Sequence, residues 1–127
     1  MEALAVGQFV EKQEPVLVVR LAVEQMDGES LEEVKRFLES AVEDGRRLVL
    51  DLSNTENVDS AGLNFLLQLW QQIQTGGGDI KLCALKSRVQ MLLQLVRMHR
   101  IFAIYDTSEE AVNAFEQSER RDLAMAN

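Results

Sequence analysis

Few residues of this 127-residue chain are typed and spaced for chemistry. It has one histidine, His99, and one cysteine, Cys83. A nucleophilic serine needs a base to take its proton, and no Gly-x-Ser-x-Gly elbow is present, so a hydrolytic triad lacks its parts. One His and one Cys leave too few soft ligands for zinc. Gly76-Gly77-Gly78 is no phosphate-binding loop, because it follows a helical pattern and precedes a strand. Asp51 is no receiver-type phosphoacceptor: Ala22-Val23-Glu24-Gln25 lacks an adjacent acidic pair, and Asp106-Thr107, not a lysine, follows the late strand. No metal or cofactor is expected. What remains is Asp59-Ser60, a carboxylate beside a hydroxyl at the start of a helical pattern, eight residues after Asp51.

The elements around this pair fix its position. Leu48, Val49, Leu50 and Leu52 form a near-continuous apolar run, which suits a strand covered on both faces. The polar loop Ser53-Asn54-Thr55-Glu56-Asn57 follows, where Asn54 suits a left-handed conformation. Either Asp59 or Ser60 then caps a helix from Ser60 to Thr75. Ser60 therefore lies at the positive end of a helix dipole, on the side of the sheet where α/β folds place function.

Composition and charge narrow the classes of function. Apolar residues make up 46% and charged residues 27%, an ordinary balance for one globular domain. A net charge of −8 argues against nucleic acid and anionic membranes as partners. Nothing resembles a signal peptide or a membrane span of about 20 apolar residues. Cys83 lies in an apolar run and reads as core. A cytoplasmic protein is expected. Charge is also uneven. Glu24 to Asp44 carries eight acids and two bases, Ser60 to Gly78 carries no charge, and Ile80 to Tyr105 carries five bases and no acid. The uncharged helix is either largely covered or a partner surface that avoids desolvating charge.

In chain order, Leu4 to Val10 and Val16 to Val23 read as a hairpin around Pro15. Asp27 follows, as a turn residue or a cap for the next helix. Ser30 to Glu43 is an amphipathic helix stopped at Gly45. In the Ser60–Thr75 helix, Leu63, Leu66, Leu67, Trp70 and Ile73 are expected to face inward, opposite Asn64, Gln68, Gln71 and Gln72. A strand at Asp79–Leu85, a helix at Ser87–Val96, a short strand at Phe102–Tyr105 and a helix from Asp106-Thr107-Ser108 complete the pattern. The expectation is a single domain over residues 1–117 and a loosely ordered tail over 118–127. The fold class is α/β, a mixed and mostly parallel sheet of about five strands with about four helices.

Asp51-Leu52-Ser53 followed by Asp59-Ser60-Ala61-Gly62-Leu63 resembles the signature of the STAS-domain family, in particular the bacterial anti-sigma factor antagonists. The likeness extends over about residues 15 to 115. Glu24 and Arg97 stand where the family often has glycine. The resemblance implies a STAS fold and a protein without enzymatic activity. It implies phosphorylation at Ser60, with Asp27, Asp59, Ala61, Gly62 and Asn64 at or near a partner interface. The implied partners are an anti-sigma factor with GHKL-type serine kinase activity and a PP2C-type phosphatase. An alternative within the same family is a structural subunit, in a stressosome-like scaffold or an ABC lipid transporter.

Overall fold

The computed structural model describes residues 7–13, 16–41 and 46–125, with side chains for 16–40 and 46–117. In chain order its strands are β1 (Gly7–Gln13), β2 (Val16–Leu21), β3 (Gln25–Met26), β4 (Arg47–Asp51), β5 (Asn57–Val58), β6 (Asp79–Cys83) and β7 (Ala103–Tyr105). Its helices are α1 (Gly28–Ala41), α2 (Ser60–Thr75), α3 (Ser87–Leu95) and α4 (Ser108–Met125), with a 3-10 turn at Met98–Arg100. The main sheet has the order β1-β2-β4-β6-β7, and β3 pairs with β5 in a separate two-stranded sheet. β1 runs antiparallel to β2, as the hairpin expectation requires, and the other pairs of the main sheet are parallel. The expected strand start at Leu4, Pro15 and the Gly45 stop lie outside the described residues.

The apolar run in β4 has the meaning its composition suggested. Side chains alternate across a strand, so Leu48, Leu50 and Leu52 join one core and Val49 the other. The larger core lies under α1, α2 and α3, through Leu31, Val34 and Leu38, then Phe65, Leu66, Leu69 and Ile73, then Val89 and Leu93. α4 covers the opposite face with Ala111, Val112 and Phe115, against Val16, Val18, Val49 and Cys83. Each buried leucine contributes about 1.5–3 kcal/mol of transfer free energy. Lys81 lies on the α4 face, its ammonium 4.4 Å from the centre of the Phe115 ring. Cys83 is buried core, as expected, and burial pushes its thiol up to about 12.

Two helices differ from the sequence pattern, and just past α3 Val96, expected to face inward with Val89, Leu92 and Leu93, is exposed because the helix ends at Leu95. In α2 the inward residues are Phe65, Leu66, Leu69 and Ile73, while Leu63, Leu67 and Trp70 are only half-buried. The helix is rotated because its first turn is fixed at Gly62, and positions 62, 65, 66, 69 and 73 share that face. The second is α4, which continues as helix to Met125, past Gln117 where the pattern suggested a loose tail. No helix among the described residues is long and apolar enough to cross a membrane.

The two positions where the family often has glycine behave differently. Glu24 is not among the described residues with positive φ, so glutamate fits its bend. Arg97 has φ 64° and ψ 22°, a left-handed conformation. That conformation costs an L-residue about 1–2 kcal/mol, against about 0.5–1 kcal/mol of extra chain entropy lost by a glycine. Arg97→Gly should therefore stabilise the fold by about 0.5–1 kcal/mol, or about 2–5 °C in Tm. Thermal unfolding followed by circular dichroism measures this, and an unchanged or lower Tm would show that the backbone is unstrained.

Candidate functional site

The site is built by two short parallel strands. Gln25 pairs with Asn57, and Met26 pairs with Val58. The Glu24 carbonyl accepts from the N–H groups of Glu56 and Asn57 at 2.7 and 3.1 Å, and the Met26 carbonyl accepts from Asp59 N–H at 3.2 Å. Both strands lead directly into helices. Asp27 caps α1, its carboxylate accepting from Ser30 N–H at 3.0 Å. Asp59 caps α2, its carboxylate accepting from Gly62 N–H at 3.0 Å. Two helix N-termini, each satisfied by an aspartate, are thereby set side by side.

Asp59 is the cap, so Ser60 is free of that duty. Ser60 is the first residue of α2, it is exposed, and its hydroxyl has no protein hydrogen-bond partner among the described residues. Ala61 and Asn64 are exposed beside it, and Asp27 is half-buried. Gly62 differs from its expected neighbours because it is buried. A Cβ there would collide with the Met26 carbonyl oxygen and come within 2.8 Å of Val58 Cγ1. Its part is to let α2 approach the β3 backbone, not to offer surface. Down the exposed side of α2, Ala61, Asn64, Gln68, Gln71 and Thr75 continue as an uncharged stripe. Nothing in the described chain covers it.

The loop before Ser60 is tied from below. Asp51 is buried, lies 3.5 Å from Arg20 Nε, and accepts from Ser53 N–H at 2.9 Å. Thr55 is fully buried and donates its hydroxyl to the Val23 carbonyl at 2.9 Å. Asn54 is not left-handed; its side-chain amide instead reaches the Leu21 carbonyl at 3.4 Å. The start of α3 closes the rim. Lys86 pairs with Glu56 at 3.0 Å, and Arg88 donates to the Asn57 side chain at 2.9 Å.

The sequence reading missed Met26, Thr55, Lys86 and Arg88. For the two bases a signal existed: β4 and β6 are parallel neighbours, so the loops at their C-terminal ends must share one edge. For Thr55 none did, since a loop threonine is ordinarily exposed. Among the described residues no cluster of His, Cys, Asp and Glu could hold a metal. Among the described residues no side chain is hydrogen-bonded to the Ser60 hydroxyl to activate it. The arrangement can present a hydroxyl and accept a group delivered by another protein.

The chain is a mixed α/β domain, its first strand antiparallel, with a helix capped by Asp59 beginning at Ser60. The chain belongs to the STAS domain family, whose model matches residues 9–111. The anti-sigma F factor antagonist of Paenibacillus polymyxa is 30% identical over 103 residues, 80% of this chain and 87% of that one. The putative anti-sigma factor antagonist BtrV of Bordetella bronchiseptica is 31% identical over 91 residues, 71% and 78% of the two chains. In fold, the chain matches an anti-sigma-factor antagonist (STAS) domain protein of Planctomyces limnophilus with TM-score 0.74, at 21% identity, over 84% of this chain and 95% of that one. It also matches the Bacillus cell fate determinant SpoIIAA, solved in the phosphorylated form, with TM-score 0.63 at 17% identity, over 84% and 97%. STAS anti-sigma factor antagonists are regulators without enzymatic activity.

Two predictions follow from the two capped helices. Gly62→Ala should destabilise the fold by about 1–3 kcal/mol, the usual range for overpacking. Urea denaturation checks it, and a loss below 0.5 kcal/mol would mean that α2 can move away from Met26. The N–H and hydroxyl of Ser30 hold the Asp27 carboxylate below its ordinary pKa of 3.8. A depressed pKa stabilises the fold above the unfolded value, and that stability is lost as pH falls through the folded one. Asp27→Asn should therefore lose less stability than the unaltered chain between about pH 4 and pH 2. Equal losses in parallel denaturations across that range would remove Asp27 from the acid response.

Proposed function

We propose that this chain is an anti-sigma factor antagonist switched by phosphorylation of Ser60. Unphosphorylated, it docks on an anti-sigma factor that is also a GHKL-type serine kinase, and so frees a sigma factor. The kinase transfers the γ-phosphoryl group of ATP to the Ser60 hydroxyl, and a PP2C-type phosphatase removes it by hydrolysis. The observation that carries the reading is an exposed Ser60 hydroxyl relieved of capping by Asp59. The names of the relatives support the same direction.

Ala61, Asn64 and the uncharged stripe of α2 form the docking face in this reading, with Asp27 and Asp59 at its rim. Small and uncharged residues suit the centre of an interface, where charges are depleted. A phosphate brings about −1.5 to −2 charges and three acceptor oxygens into that centre. The partner then has to bury an unpaired dianion or separate.

The test uses the chain with a GHKL-type anti-sigma factor kinase from the same organism, ATP and Mg²⁺. Phosphate should map to Ser60 by mass spectrometry. Ser60→Ala should keep kinase binding within about threefold, and Ser60→Asp should weaken it by at least tenfold, about 1.4 kcal/mol. Phosphate on another residue, or full binding by Ser60→Asp, would overturn the switch. Constitutive elution in a large assembly, insensitive to nucleotide, would point to a structural subunit instead.

A further inference from the structure

Away from Ser60, the described residues expose large apolar side chains within one stretch. Met91, Leu95, Val96 and Ile101 are the exposed large hydrophobic residues among those described, Leu95 at 79% and Met91 at 62%. Met91 and Leu95 stand one turn apart on α3. Val96 and Ile101 bracket the turn after it, which Met98 and Phe102 anchor in the core. Single exposed hydrophobics are ordinary, but four within residues 91–101 mark a contact surface.

The surroundings say what it would contact. Residues 80–105 contain no acid. Arg97 and Arg100 are exposed and pair with no acid among the described residues. Arg97 also holds its guanidinium there on a left-handed backbone that a glycine would occupy without strain. A left-handed residue at a helix end is ordinarily glycine, so an arginine kept there places a side chain where the fold does not require one.

We propose that α3 and the turn after it form a second docking surface, for an amphipathic helix of another protein whose apolar stripe is flanked by acidic residues. Leu95 and Met91 would enter between that helix's apolar side chains, Met91 adapting its shape. Arg97 and Arg100 would take its carboxylates, a geometry guanidinium suits. A second copy is a poor occupant, because a two-fold contact would set these arginines against themselves. So is an anionic bilayer, for the chain as a whole carries −8. The proposal is independent of the Ser60 switch.

The test uses the full chain and two synthetic helical peptides with the same leucine stripe, one flanked by Glu and one by Lys. The Glu peptide should bind, with amide NMR shifts confined to residues 86–102, and the Lys peptide should bind at least about tenfold more weakly. Leu95→Ser, at an exposed site, should reduce affinity for the Glu peptide about tenfold. Arg97→Gly should reduce it severalfold while raising Tm, which separates lost contact from lost folding. Ser60→Asp should leave it unchanged. Equal affinity for both peptides, no binding, concentration-dependent dimers broken by Leu95→Ser, or binding to phosphatidylglycerol vesicles would each overturn the proposal.

Discussion

The edge that carries Ser60 depends on one close approach. The first turn of α2 rests on the backbone of Met26, and only a residue without Cβ fits between them. The Met26 carbonyl simultaneously accepts the N–H of Asp59. This pins the start of α2 to the start of α1, since Met26 is followed at once by the Asp27 cap. Two helix ends in register would each leave orphan N–H groups. The chain satisfies them with its own carboxylates, and so has no need of the Ser60 hydroxyl. The same contact sets the rotation of α2. It decides which residues are buried and which form the uncharged exposed stripe.

That division separates folding from signalling in energetic terms. A phosphate on Ser60 would gain about 0.3–1 kcal/mol from the helix N-terminus. For each unit of its charge it would lose a similar amount to the neighbouring Asp59, since unit charges separated by about 4 Å in water repel by about 1 kcal/mol. Glu56 contributes little repulsion, because Lys86 is 3.0 Å from it. Within the chain these terms nearly cancel. Burying the same charge under a partner costs several kcal/mol per ion even after relaxation. Docking is therefore far more sensitive to the modification than the fold.

Much of this architecture was legible in the sequence, for physical reasons. The run in β4 is apolar at successive positions because helices lie on both faces of the strand. The serine-bearing junction was legible because capping needs a short oxygen-bearing side chain at the helix start. Which of Asp59 and Ser60 serves could not be read, as either can. The β3–β5 pair was invisible, because two residues are too few to show alternation. The rotation of α2 was misjudged because nine apolar or small positions can be divided into faces in more than one way. The deciding contact, Gly62 on Met26, lies between residues far apart in sequence. Arg97 was visible as a departure from glycine, and its left-handed backbone explains why glycine is favoured there.

The charge distribution gains its sense from topology. Parallel neighbours β4 and β6 deliver their following loops to one edge. Lys86 and Arg88, from the acid-free segment, thus meet Glu56 and Asn57, from the acidic rim of Ser60. α3 is held at its N-terminal end by these contacts, while its other end, with Arg97 and Arg100, has no such counterpart among the described residues. A chain of net −8 that gathers cations on and just beyond the two ends of one short helix spends some of them internally and leaves the rest outward. Unneutralised guanidiniums beside exposed leucine and methionine gain nothing for the isolated fold. In the proposed docking surface their contribution comes from contact with another molecule, and the sign of their charge determines what that molecule carries.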